Sequence, residues 1–260
     1  MSGPAIWGWA PTWESLGVLL LASLGAGAIN SVAGGGSLLS FPAAMAAGMP
    51  ALVANATNSA ALTPASLASA WAYRRELAQE MGSVKLLLLP SMLGGLLGAA
   101  LLLATPQRLF DALVPALLLL ATGLLLLQNL RKPSDSAGPP HPWALVAAQF
   151  AVSVYGGYFG AGMGIVMLAL FERLGGPDLH RKNALKTVLG VAINGVASLW
   201  LLRAGVIWPG PVLVMVGAAA LGGWLGATAA RRADPRKVRW VVVAIGATLT
   251  VIQAYKSWLR

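Results

Sequence analysis

Hydrophobic residues in this chain gather into long runs separated by short polar or glycine-rich connections. Apolar stretches cover approximately residues 16–48, 51–73, 84–104, 109–130, 143–171, 184–202, 207–230 and 238–255. Most have the roughly 20 residues that one helical crossing of a bilayer needs, whereas the first and fifth run to roughly 30, too long for one crossing and short for two. Both overlong stretches carry a glycine break, at Gly34 to Gly36 and at Gly160, Gly162 and Gly164. Around the first break, residues 25–59 are rich in amides and hydroxyls. In lipid, unpaired backbone N–H and C=O groups are costly, so irregular backbone survives at depth only where protein or an internal cavity surrounds it. Gly34, Gly35 and Gly36 therefore read as backbone brought close to something. A helix that restarts after such a break points its free N–H groups and its positive dipole end there, which makes an anion site. The plainer reading is that small residues let two helices pack closely.

One clearly polar segment, RKPSDSAGPPHP at 131–142, lies mid-chain. It divides a first membrane repeat, 1–130, from a second, 143–260. The two match each other. Asn55-Ala56 recurs as Asn183-Ala184, and Leu93-Gly94-Gly95-Leu96-Leu97-Gly98-Ala99 recurs at the same separation as Leu221-Gly222-Gly223-Trp224-Leu225-Gly226-Ala227. Gly34-Gly35-Gly36 faces Gly160-Ala161-Gly162, and Pro106 faces Pro235, within two positions of that separation. Four landmarks in one order point to an internal duplication.

Composition narrows the class. The chain has 260 residues, 57% of them hydrophobic and 10% charged, with a mean hydropathy of +0.73. It reads as an all-α polytopic membrane protein whose solvent is the lipid bilayer. The formal charge of +10 suggests nucleic acid until its placement is seen: Lys and Arg lie mainly between apolar runs, where the anionic cytoplasmic leaflet accounts for them. There is no cysteine, and both histidines, His141 and His180, fall in expected loops, so neither a metal centre nor a cofactor is expected. The first residues hold no Lys or Arg, unlike a signal peptide, and Trp7, Trp9 and Trp13 suggest an interfacial anchor.

Charge also sets the parity of the fifth stretch. With a single crossing, Lys and Arg divide nine against eight between the two faces, Lys186 set aside. If the stretch enters and returns to the same face, the division becomes thirteen against four, as the positive-inside rule expects. The first stretch should behave likewise. The expectation is thus two inverted-topology repeats, each with a glycine-broken or re-entrant first segment plus three transmembrane helices. Both chain ends come out non-cytoplasmic, and the linker and the 231–239 loop cytoplasmic.

Polar side chains within the apolar stretches cluster beside the breaks: Asn30, Ser31, Ser37, Asn55, Thr57, Asn58, Ser59 and Thr63 in one half, Gln149, Ser153, Tyr155, Asn183, Lys186, Thr187 and Asn194 in the other. In hydrocarbon they must face one another, water or a solute. Lys186 is the one cation that enters a span; it either adds charge for an anion or snorkels beside Arg181 and Lys182. All eight carboxylates fall in expected loops or at stretch ends, which suits an anion rather than a cation or a proton relay. No activated nucleophile is available for hydrolysis. Gly94-x-x-x-Gly98 and Gly222-x-x-x-Gly226 read as close-packing motifs.

The chain resembles the TauE/SafE family of sulfite and organosulfonate exporters. The resemblance lies in Asn30-Ser31-Val32-Ala33-Gly34-Gly35-Gly36-Ser37 followed by Phe41-Pro42, in Ala54-Asn55-Ala56-Thr57-Asn58, in Tyr158-Phe159-Gly160-Ala161-Gly162-Met163-Gly164 and in Asp178-Leu179-His180-Arg181-Lys182-Asn183-Ala184. It implies export of sulfite, sulfoacetate or other sulfonates across a bacterial inner membrane. Its pattern has a glycine where this chain has Met163. The expected anion site takes backbone N–H groups of Gly35, Gly36, Ser37, Gly162 and Gly164, side chains of Asn55, Asn58, Asn183 and Thr187, and the charge of Lys186. Alternating access would move the solute. An anion-selective channel and a membrane-bound enzyme or assembly subunit are the competing readings, and the sequence leaves a homo-oligomer open.

Overall fold

A computed structural model describes residues 9, 11–32, 34–130, 141–172 and 178–229, with single positions 240, 243, 244, 247, 248, 251 and 255. The 131–140 part of the linker, the 231–239 loop, Trp7 and most of the eighth apolar stretch lie outside the described residues. The described elements are all helices: α1 (Trp13–Val32), α2 (Ser37–Ala46), α3 (Ala51–Ala72), α4 (Arg74–Ala78), α5 (Met81–Ala104), α6 (Gln107–Leu130), α7 (Pro142–Tyr158), α8 (Met163–Glu172), α9 (Leu179–Arg203) and α10 (Pro209–Ala229). Five of them, α1, α5, α6, α9 and α10, are long and apolar enough to cross a bilayer. The chain is an all-α, multi-pass membrane protein. Helix α3 has 22 residues but buries Asn55, Thr57, Asn58, Ser66 and Ser69. Helices α9 and α10 cover it, as its polar side chains require in an apolar surrounding.

Each overlong apolar stretch becomes a long helix, a glycine turn and a helix of 10 residues. Ten residues rise about 15 Å, roughly half the hydrocarbon thickness. Helix α2 ends beside the start of α1, where the Trp9 indole N–H donates to the Ala47 carbonyl at 3.0 Å. In the second stretch, Phe171 near the end of α8 and Leu145 near the start of α7 share an apolar cluster with Val84 and Leu87 of α5. Both stretches are therefore hairpins that return toward the end they came from.

The segment joining α3 to α5 meets the start of α9. Arg181 pairs with Glu80 at 2.6 Å, and its guanidinium also donates to the Gln79 carbonyl at 3.4 Å. Asp178 caps α9 by accepting from the His180 and Arg181 N–H groups at 2.9 and 3.4 Å. His180, expected in a loop, thus sits in the first turn of α9, its ring centroid 6.2 Å from that of Tyr73.

The glycine motifs pack as read. A Cβ on Gly94 of α5 would lie 2.7 Å from the Phe150 carbonyl oxygen of α7, and one on Gly222 of α10 would run into the Leu24 carbonyl of α1. Helix α5 packs on α7 and α9 while α10 packs on α1 and α3. Each half of the chain thereby grips the hairpin of the other.

Candidate functional site

The two glycine turns touch. A Cβ built on Gly34 would lie 2.9 Å from the Cα of Gly164, and one on Gly164 would lie 3.1 Å from the Cα of Gly34. Gly34 has φ +72 and Gly162 φ +76, left-handed backbone that glycine adopts at little steric cost. Any side chain on either contacting glycine would force the hairpins apart. The turns are held from outside as well, since Tyr155 Oη donates to the Ala161 carbonyl at 2.5 Å and α6 brings Ala121 against Gly162.

Beside this contact lies a cavity. The hairpins contribute Asn30, Ser37, Gly160, Met163, Gly164 and Met167 to its wall, and α3 contributes Leu62, Ser66 and Ser69. Helix α9 completes it with Lys186, Thr187, Gly190 and Asn194. The cavity is closed down, with room for little more than one water molecule. Among the described residues, its wall contains one cation and no carboxylate.

Lys186 does not snorkel. It is 4% exposed, and its Nζ turns inward to donate to the Asn30 carbonyl at 2.8 Å, the Asn183 Oδ1 at 2.9 Å and the Ser31 carbonyl at 3.4 Å. Asn30 and Ser31 belong to the last turn of α1, which has no basic residue of its own. The ammonium therefore meets carbonyls that the helix leaves unpaired, at the negative end of its dipole.

Of the residues expected to bind solute, Ser37, Gly164, Lys186 and Thr187 line the cavity, and Gly35, Gly36, Asn55, Asn58, Gly162 and Asn183 do not. Asn55 donates from Nδ2 to the Tyr158 carbonyl at 2.9 Å, at the end of α7. Asn58 accepts from Ser40 Oγ at 2.5 Å, and Asn183 accepts from Lys186. Thr187 Oγ1 donates to the Asn183 carbonyl at 2.6 Å. Among the described residues, the Gly164 N–H meets no backbone acceptor. Sequence reasoning passed over Leu62, Ser66 and Gly190, although they follow Asn58 and Lys186 at four-residue spacing, on the same helix faces.

This architecture can be set beside known proteins. The family model described as Sulfite exporter TauE/SafE matches residues 19–252. The chain belongs to the TauE/SafE family. A probable membrane transporter protein YfcA of Escherichia coli strain K12 is 29% identical over 245 residues, covering 93% of this chain and 90% of that one. A probable membrane transporter protein of Haemophilus influenzae is 26% identical over 251 residues, covering 95% and 98%. A third, ORF9 of a Sinorhizobium species, is 27% identical over 239 residues, covering 91% of each. No solved structure matches the chain. Family and relatives alike are named as transporters, which supports a role in membrane transport for this TauE/SafE chain. Where the TauE/SafE resemblance leads one to expect a glycine, Met163 packs its thioether over Gly156 and lines the cavity.

Proposed function

We propose that this chain is a secondary transporter that exports small sulfur-containing anions, sulfite or organosulfonates, by alternating access. The observation that carries the reading is the meeting of two glycine turns beside a buried cavity walled by an ammonium, hydroxyls and amides, without a carboxylate among the described residues. Such a wall favours a negative solute, and glycine-broken helices near the middle of a bundle are where transporters hold one. The family description supplies the sulfur oxyanion.

The hairpin α1–α2 returns to one end of the bundle and α7–α8 to the other, which supports a second half that runs upside down relative to the first. Paired contacts of Gly94 on Phe150 and Gly222 on Leu24 support a twofold relation between the halves. In this reading the basic segments around Arg74, Lys85 and Arg181 face the cytoplasm of a bacterial cell, and both termini lie outside its inner membrane. Ser37 and Gly164 donate to the anion at the cavity wall and Lys186, its N–H donors already engaged, contributes its charge, with Thr187 beside them and further N–H donation from the turns at Gly35, Gly36 and Gly162. Asn55 holds the end of α7, Asn58 ties α3 to Ser40 of α2, and Asn183 orients the Lys186 ammonium. Because the cavity is closed down, separating the hairpins from α3 and α9 on one side and then the other would admit and release solute.

Purified protein in proteoliposomes should accelerate exchange of labelled sulfite over protein-free vesicles, and saturably. Exchange no faster than the vesicle background would sink the reading, and unsaturable flux at ion-channel rates would replace a carrier with a channel.

A further inference from the structure

The charge in the cavity wall limits what fits there. Lys186 Nζ is surrounded by three acceptors, the Asn30 and Ser31 carbonyls and Asn183 Oδ1. Three acceptors match the three N–H donors of an ammonium, while a neutral amine would offer only two. All three partners are neutral, and among the described residues Lys186 is the only formally charged one in the wall. A buried ammonium among neutral groups is strongly unfavourable unless a negative charge balances it. The end of α1 supplies part of that balance, about half an elementary charge. What remains uncompensated is at most one positive charge.

We propose that this cavity selects a singly charged oxyanion and discriminates against a doubly charged one, an inference that rests on the anion-transport reading above. One negative charge beside Lys186 leaves the closed site near neutrality. A second would sit desolvated among hydroxyls and amides with no cation to meet it. The wall formed by Leu62, Met163 and Met167 offers no donors, so it suits a short hydrocarbon substituent rather than a second acidic group. The matching class is a small alkanesulfonate, or sulfite in its singly protonated form. Sulfate and sulfoacetate carry one charge too many.

Methanesulfonate and sulfoacetate share the sulfonate head and differ by one carboxylate, which makes them the discriminating pair. Calorimetric titration of the purified full-length protein in nanodiscs should show methanesulfonate binding at least about tenfold more tightly than sulfoacetate or sulfate. Lys186→Met, checked for folding by its thermal transition, should weaken methanesulfonate by at least about tenfold and erase the preference. Sulfoacetate binding as tightly as methanesulfonate to the wild type, a comparison that needs no variant, overturns the charge selection and leaves anion transport standing. A folded Lys186→Met protein with unchanged methanesulfonate affinity overturns it too. Heat from none of these anions would overturn both the selection and the transport reading beneath it.

Discussion

Helices α1 and α7 each end inside the bundle at a glycine turn, and each leaves carbonyls that lipid cannot satisfy. At the end of α7 the Tyr158 carbonyl takes a hydrogen bond from the Asn55 amide of α3, at 2.9 Å. At the end of α1 the Asn30 and Ser31 carbonyls take the Lys186 ammonium of α9. The donor in both cases comes from the opposite half of the chain, so capping stitches the two hairpins together. The chemistry differs: one cap is neutral, the other charged, and only the charged one lines the cavity. Two matched structural problems thus receive unequal solutions, and in the proposed reading the inequality makes a place for one negative charge.

The largest disruption of this arrangement should come from the contact the two turns share. Gly34→Val places a branched side chain on left-handed backbone and against the Gly164 backbone. It should cost about 3 kcal/mol or more and abolish transport, measured as lost thermal stability in detergent and background flux in proteoliposomes. Next comes the charged cap. Lys186→Met leaves the α1 carbonyls unpaired, at about 1–3 kcal/mol, and should lower anion exchange by about a hundredfold. The neutral cap separates framing from binding. Asn55→Ala should also cost about 1–3 kcal/mol, yet leave the KM for the anion unchanged, because Asn55 does not line the cavity. A large rise in KM would place Asn55 on the solute instead. Smallest of all is Arg181→Gln, which removes an ion pair whose arginine is 40% exposed. It should shift stability by at most about 1 kcal/mol, and by less at high salt.

Much of this was legible in the residue pattern. Crossings follow from run length because the bilayer demands about 20 apolar residues per helix. The hairpin character of the fifth stretch followed from charge parity, and the meeting of the 73–85 segment with the start of α9 agrees with it. Gly34 and Gly164 were marked by their type, since glycine in a span signals close approach. Four of the ten expected site residues line the cavity, and six do not. Asn55, Asn58 and Asn183 look alike in sequence to a solute ligand, because a buried amide must be bonded to something and its partner is not written beside it.

The run lengths, the duplicated landmarks and the family could be read from the chain because each is a local or periodic property, set by what lipid tolerates residue by residue. Which half supplies the cap for which helix could not be read there. That Lys186 turns inward to α1 instead of outward to the headgroups depends on carbonyls 155 and 156 positions away. Such a partner exists only once α9 has packed beside the end of α1, and the same packing places the cavity's single positive charge.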